Sequence, residues 1–321
     1  MSGVIKKAAV LQAMGGVALA VLMTAASAFA TTPGYRELDA AHTLVIDTTK
    51  GQIVVEMYEA LAPTHVERMT TLTRRGFYDG LIFHRVIEDF MDQTGDPKGT
   101  GEGGSDLPNL KGEFLTRKDA SFPFTVVARP TGSLIGFVGA MPVQSQVAEL
   151  AAITNDGKTN AWGLYCQGVL GMARDSAPDS ANSQFFLMRG ANSALEKRYT
   201  AFGVVVSGLD VVRKIKIGEP AVNPDKMLKV RVLADIPEAE RPKIEVMDTT
   251  SPQFQQLIDQ TRKSKGADFS ACDLTVPTKR LDAPAVAAAA SKPAAATAPK
   301  PSSTAMPISP STLQTQKSSG Q

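Results

Sequence analysis

Histidine, cysteine and tryptophan are scarce in this chain of 321 residues, which holds three, two and one of them. His42, His65, His84, Cys166 and Cys272 are too far apart in sequence to match zinc-site or iron–sulfur spacings, so no resident metal or cofactor is expected. No GxSxG elbow and no HExxH helix occurs, which leaves hydrolase chemistry without a foothold. Neither sign of charge dominates: 34 Lys and Arg stand against 32 Asp and Glu, for a formal net charge of +2. The basic footprint of a nucleic-acid binder is therefore missing. Long apolar runs are missing too. Ala13–Met23 has 11 residues, whereas a bilayer span needs about 20. At 43% hydrophobic the chain can still build a core, which excludes a disordered or collagen-like protein.

Lys6 and Lys7 before that apolar run, and Ala28-Phe29-Ala30 after it, make residues 1–30 read as a cleavable secretory signal peptide. The mature chain would begin near Thr31, with no membrane span and no cysteine placed for lipid attachment. Residues 283–321 hold six Pro, eleven Ala and no acidic or aromatic residue. Such a segment cannot bury enough apolar surface to offset its ordering entropy, and it reads as a disordered tail.

Between these ends, Thr43–Asp47 and Gln52–Tyr58 are β-branched runs joined through Gly51, which predicts a hairpin. Pro63, followed by Val66, Met69 and Leu72 on one side and Gly76 as a stop, predicts an amphipathic helix. A second helix is expected over Gly208–Ile217, capped by Ser207. Met227–Leu233 alternates like a closing strand. Lys243–Met247 and a helix opened by Ser251-Pro252 form an appendage over 237–282. Strand–helix alternation is absent, so an antiparallel barrel or sandwich is expected.

Gly99-Thr-Gly-Glu-Gly-Gly104 matches a dinucleotide pattern by letter, but Ser105-Asp-Leu-Pro108 follows where a helix is required. The glycines read as a tight surface loop. His42 and His65 read as surface residues. Two segments stand out: Phe83-His-Arg-Val86 continuing to Phe90-Met-Asp-Gln93, and Gly168–Ala173 with Ser183-Gln-Phe-Phe-Leu187. An arginine at strand spacing from large apolar residues fits a guanidinium on the rim of an apolar pocket. Patterning alone fits core strands with one exposed arginine at least as well.

Taken together, in this order, these segments resemble the signature regions of cyclophilin-type peptidyl-prolyl cis–trans isomerases, over Thr43 to Ile236. The resemblance implies a mainly β fold: a closed eight-stranded antiparallel barrel capped by two helices, occupying 31–236. It implies isomerisation of X–Pro bonds in proline-containing polypeptide clients, by a monomer of the exported, periplasmic bacterial type. A catalytically idle chaperone or binding module on the same fold is the alternative. By resemblance Arg85 is the catalytic arginine and Gln93 the residue that orients it. Phe90, Met91, Phe186 and Leu195 form the proline pocket, Gln184 lies beside the reacting amide, and Ala173 and Arg174 hold the client backbone. Tyr199 stands in for a pocket histidine. Ala194 stands where many members carry tryptophan, which implies weak cyclosporin binding. Thr94 replaces a common glycine, so positive φ is not expected there. An insertion over about 106–160 is long for the family. Within it Phe122–Val127 reads as a barrel strand and Gly132–Lys158 as added surface beside the groove, either a client selector or a passive elaboration. If the chain is exported, Cys166 and Cys272 meet an oxidising compartment, which leaves open a disulfide between appendage and barrel, or two free thiols.

Overall fold

The computed structural model describes residues 31–282; the expected signal peptide, 1–30, and tail, 283–321, lie outside them. Eight antiparallel strands form the central sheet: β1 (Thr43–Thr48), β2 (Gly51–Met57), β3 (Arg85–Ile87), β4 (Met91–Thr94), β5 (Val169–Met172), β6 (Phe185–Met188), β7 (Ala201–Ser207) and β8 (Met227–Val232). Their order is β8-β1-β2-β7-β5-β6-β4-β3. The predicted hairpin is β1–β2, with Thr48 opposite Gly51 at φ +130°. The sheet is an open half-barrel, which corrects the closed barrel expected from the resemblance. No ladder joins β8 to β3. Strand β3 is only three residues long, and the chain facing it before β8 is irregular, so only the single bridges Val86–Gly218 and Ile82–Lys226 span the gap.

Strand alternation explains the continuous apolar runs. In β6, Phe185 and Leu187 enter one core while Phe186 and Met188 enter another, and all four are buried. The first core is covered by helix α1 (Pro63–Arg74), through Val66, Met69 and Leu72, and by α2 (Leu209–Lys214), through Val211 and Val212. Helix α2 is shorter than expected, and Ser207 does not cap it. Ser207 ends β7, and Gly208 at φ +89° takes the cap position without a side-chain bond. His65 is fully buried rather than exposed. Glu113 lies over the start of α1, accepting the Thr64 and His65 N–H groups and lying 2.6 Å from His65 Nδ1, a favourable place for a carboxylate.

The second core is covered by the insertion. Thr116–Lys118, Thr125–Ala128, Ser133–Val138, Met141–Gln146 and Thr159–Gly163 form a separate five-stranded sheet. Phe122–Val127 therefore contributes no barrel strand, and Gly132–Lys158 is not mere added surface: Phe137, Met141 and Val143 are buried against the central sheet's second face. The appendage packs here too. Ile244–Met247 pairs with Tyr35–Glu37 and Thr278–Arg280. Helix α3 (Pro252–Lys265) starts at Ser251, whose hydroxyl accepts the Phe254 N–H, and the buried Phe254 ring meets Phe137 edge-on at 5.4 Å. Cys166 and Cys272 are joined as a disulfide, their Cα atoms 5.0 Å apart and 106 residues apart in sequence. Among the described residues no helix is long and apolar enough to cross a membrane, and no cluster of three metal-ligating side chains occurs.

One buried carboxylate sits in the sheet. Asp92 of β4 is fully enclosed, with Arg189 Nη1 3.3 Å away at an angle that makes no hydrogen bond. Burial, opposed by the Arg189 charge and aided by that of Asp225, pushes its carboxyl from 3.8 up to about 7. Between these two values the native state keeps a proton that the unfolded chain has released. The group's contribution to stability is therefore present at low pH and is lost as pH rises through that window. Carboxyl 13C titration is expected to place the Asp92 midpoint near neutrality, and a midpoint in the ordinary carboxylate range would contradict this.

The disulfide also predicts an outcome. Closing a loop of this length stabilises by about 4–5 kcal/mol as an upper figure, so reduction or Cys272→Ser should lower the denaturation midpoint markedly. Thiol titration of the unreduced protein should find none, and two reactive thiols would refute the pairing.

Candidate active site

Sheet register places the central residues in one row. Arg85 on β3 is opposite Gln93 on β4, Gln93 is opposite Phe186 on β6, and Phe186 is opposite Gly171 on β5. Residues paired across strands share a face, so guanidinium, amide and phenyl lie side by side. Gly171 is needed in this row: a Cβ there would lie 2.4 Å from the Phe186 ring and 2.6 Å from the Tyr165 hydroxyl. Phe186 is buried under a stacked Tyr165, with ring centroids 5.8 Å apart, and meets Tyr199 edge-on at 6.0 Å. Met91 is buried in the same cluster, and Phe90, Ala173, Leu195 and Tyr199 lie half-buried against it. The predicted pocket residues thus converge on one apolar patch. Tyr165, its hidden floor, was not foreseen, because nothing in its sequence neighbourhood distinguishes it from any buried tyrosine.

Gln93 does not hold Arg85 as expected. Its amide nitrogen donates to Gln184 Oε1 at 2.9 Å, and Gln184 Nε2 donates in turn to the carbonyls of Gly101 and Gly103, each at 2.8 Å. Arg85 Nε instead donates to Glu219 Oε2 at 2.8 Å. Sequence reading had no access to this contact, since the partners are 134 residues apart. The neighbouring His84 is buried, and that burial, with the Arg85 charge against the opposing Asp96, holds its imidazole below the usual range. Arg85 is therefore the cation at this edge.

The glycine loop is more than a surface turn. Burial alone would raise the Asp96 carboxyl, but bonds from the backbone N–H groups of Lys98, Gly103, Gly101 and Thr100 outweigh it and hold the group below its ordinary value. A side chain at Gly103 would overlap Asp96, so the loop wraps tightly enough to form a wall. That wall, with Gln93, Asn182 and Gln184, lines a polar cavity of about 500 Å3 adjoining the row. Ala173 lies on its rim, its N–H given to the Gln184 carbonyl. Arg174 also lines this cavity, its guanidinium 4.5 Å from the Tyr199 ring centre and bonded to the carbonyls of Arg198 and Asp175. Thr94 has no positive φ, and its hydroxyl donates to the Ile82 carbonyl. Another cavity, about 540 Å3, lies among Leu38, Leu233, Glu238, Arg241, Ile244 and Leu281 and contains none of these residues.

A guanidinium, a carboxamide relay and a water-poor aromatic patch hold no nucleophile and no proton donor in the neutral range. The arrangement is built to bind a chain segment and polarise it. Comparison with known proteins agrees. Residues 43–234 match the family model described as cyclophilin type peptidyl-prolyl cis-trans isomerase/CLD. A probable peptidyl-prolyl cis-trans isomerase of Brucella suis is 34% identical over 213 residues, covering 61% of this chain and 85% of that protein. A peptidyl-prolyl cis-trans isomerase-like 1 of Aspergillus oryzae is 31% identical over 197 residues, covering 60% and 96%. The crystal structure of cyclophilin AquaCyp293 from Hirschia baltica superposes with a TM-score of 0.71 at 34% identity, covering 76% of this chain and 92% of that one. That share exceeds residues 43–234 alone, so the likeness reaches into the flanking elements. With the family match spanning more than half of its length, this chain belongs to the cyclophilin-type peptidyl-prolyl cis–trans isomerases.

Proposed function

We propose that X–Pro bonds of exported proteins are turned over on the Arg85–Gln93–Phe186 row, in the periplasm. The X–Pro amide resists rotation because resonance holds it planar, with a barrier of about 18–20 kcal/mol, and unaided it turns over in tens to hundreds of seconds. A donor aimed at the prolyl nitrogen favours the pyramidal, single-bond-like transition state, and an apolar pocket strips the water that stabilises the planar ground state. Arg85 is the donor. Phe90, Met91, Phe186, Leu195 and Tyr199 grip the proline ring, while Gln184 and Ala173 receive the flanking backbone.

The observation that carries this reading is the register row, because it puts a permanent cation on the same face as the apolar patch, with only Gln93 between Arg85 and Phe186. A ten-thousandfold acceleration requires about 5.5 kcal/mol, whereas one charge-assisted hydrogen bond supplies about 1.5–3 kcal/mol. Desolvation and alignment must supply the remainder. The Cys166–Cys272 pairing supports an oxidising compartment, as does the signal-like segment before Thr31. Ala194 is exposed and Trp162 is buried beneath Lys197, 4.1 Å from its ring centre, which supports weak cyclosporin binding, since no indole is offered at the rim. The chain is read as a monomer.

Cis–trans exchange of a short X–Pro peptide, followed by NMR without a coupled protease, tests the site. The 31–321 chain should accelerate exchange, and Arg85→Ala should lose about tenfold to a hundredfold, the rate equivalent of one charge-assisted bond. Full activity in a folded Arg85→Ala variant would remove Arg85 from the reaction.

A further inference from the structure

Glu219 is the hydrogen-bond partner of the Arg85 guanidinium. We infer that this residue, which the family resemblance did not single out, is a positioning residue for Arg85; the inference rests on the reading of Arg85 as donor. Of the five N–H groups of Arg85, the one on the stem, Nε, donates to Glu219 Oε2 at 2.8 Å, and among the described hydrogen bonds Arg85 makes no other. Fixing Nε sets the plane of the guanidinium, and it leaves both terminal nitrogens unspent for the client's prolyl amide. Gln93, opposite Arg85 in the sheet, makes no described hydrogen bond to it; its amide nitrogen is turned to Gln184.

The backbone that carries this carboxylate is tied on both sides of its loop. Next to Glu219, Gly218 exchanges two backbone bonds with Val86, the residue after Arg85: Gly218 N–H to Val86 O at 3.0 Å and Val86 N–H to Gly218 O at 2.9 Å. At the loop's base the buried Asp225 carboxylate accepts the Lys216 N–H at 2.8 Å, and Lys216 Nζ reaches the Asn223 carbonyl at 3.0 Å. Upstream, Arg189 bonds the carbonyls of Ile215 and Arg213, fastening the end of α2 to β6. Glu219 thus sits on a tied loop that is registered to the strand carrying its partner. An unrestrained arginine on the half-exposed rim would spread over many rotamers, and only a fraction of them would point at the bond being turned. The pair itself is open to solvent, where ion pairs add little to folding stability. Its removal should therefore leave the fold intact and act on the rate.

The experiment is a double-mutant cycle in the NMR exchange assay, with KM and kcat resolved. Glu219→Ala should lower kcat by about three- to fivefold with KM nearly unchanged, the rate equivalent of an exposed charge pair. Glu219→Gln, which keeps an oxygen acceptor for Nε, should recover most of the loss. In an Arg85→Ala background, Glu219→Ala should have no further effect. An unchanged or raised kcat in Glu219→Ala overturns the inference, as does an equal loss with and without Arg85; with Arg85→Ala still impaired, the reading of Arg85 as donor survives either result. An Arg85→Ala variant as active as the parent overturns both.

Discussion

The central sheet is apolar on both faces, and each face must be covered. Antiparallel sheets commonly leave one face to water. Here β6 sends Phe185 and Leu187 to one side and Phe186 and Met188 to the other, all buried. Two short helices suffice for the first side. The second needs the five-stranded sheet of the insertion and, beyond it, α3. The active-site patch lies at the margin of this second core, so its floor is made by elements remote from it in sequence. Tyr165 under Phe186 is the clearest case.

The division of labour at the site follows from the same geometry. Alternation puts Gln93 and Met91 on the pocket face of β4 and Asp92 behind it, in contact with Arg189. The polar relay Gln93–Gln184–Gly101/Gly103 is partly sheltered, and its three hydrogen bonds stiffen one wall. The single charged donor stays at the exposed edge, where a client segment can reach it. Buried relay and exposed cation are complementary: one defines the shape of the groove, the other supplies the field.

Much of this was legible in local sequence. The β1–β2 hairpin, α1 with its Pro63 start and the Ser251 cap of α3 follow from propensity, period and turn chemistry acting within a few residues. The pocket residues were legible only through the family resemblance, since Phe83–Gln93 and Ser183–Leu187 pattern like any core strand. What was not legible depends on distant partners. His65 is buried because Glu113 lies across the helix start. The insertion is core because the sheet's second face needs cover. The barrel stays open because β3 is short and faces an irregular chain. Glu219 gave no local signal, because its partner is reached only after the whole central sheet has formed.

The appendage, outside the family segment, nonetheless bears on the pocket. Cys166 follows Tyr165 directly, and its disulfide partner Cys272 lies beyond α3. The Tyr165 ring backs Phe186, and its backbone carbonyl accepts the Asn192 N–H at the start of the turn carrying Leu195. One short segment, 165–166, therefore connects the covalent tie, the floor of the pocket and one of its walls. In a close-packed interior, a shift in such a segment is passed on to its neighbours rather than absorbed. The stability supplied by the appendage is in this way coupled to the geometry that grips proline, which gives a physical reason for a fold of this kind to carry a C-terminal extension so far from its catalytic edge.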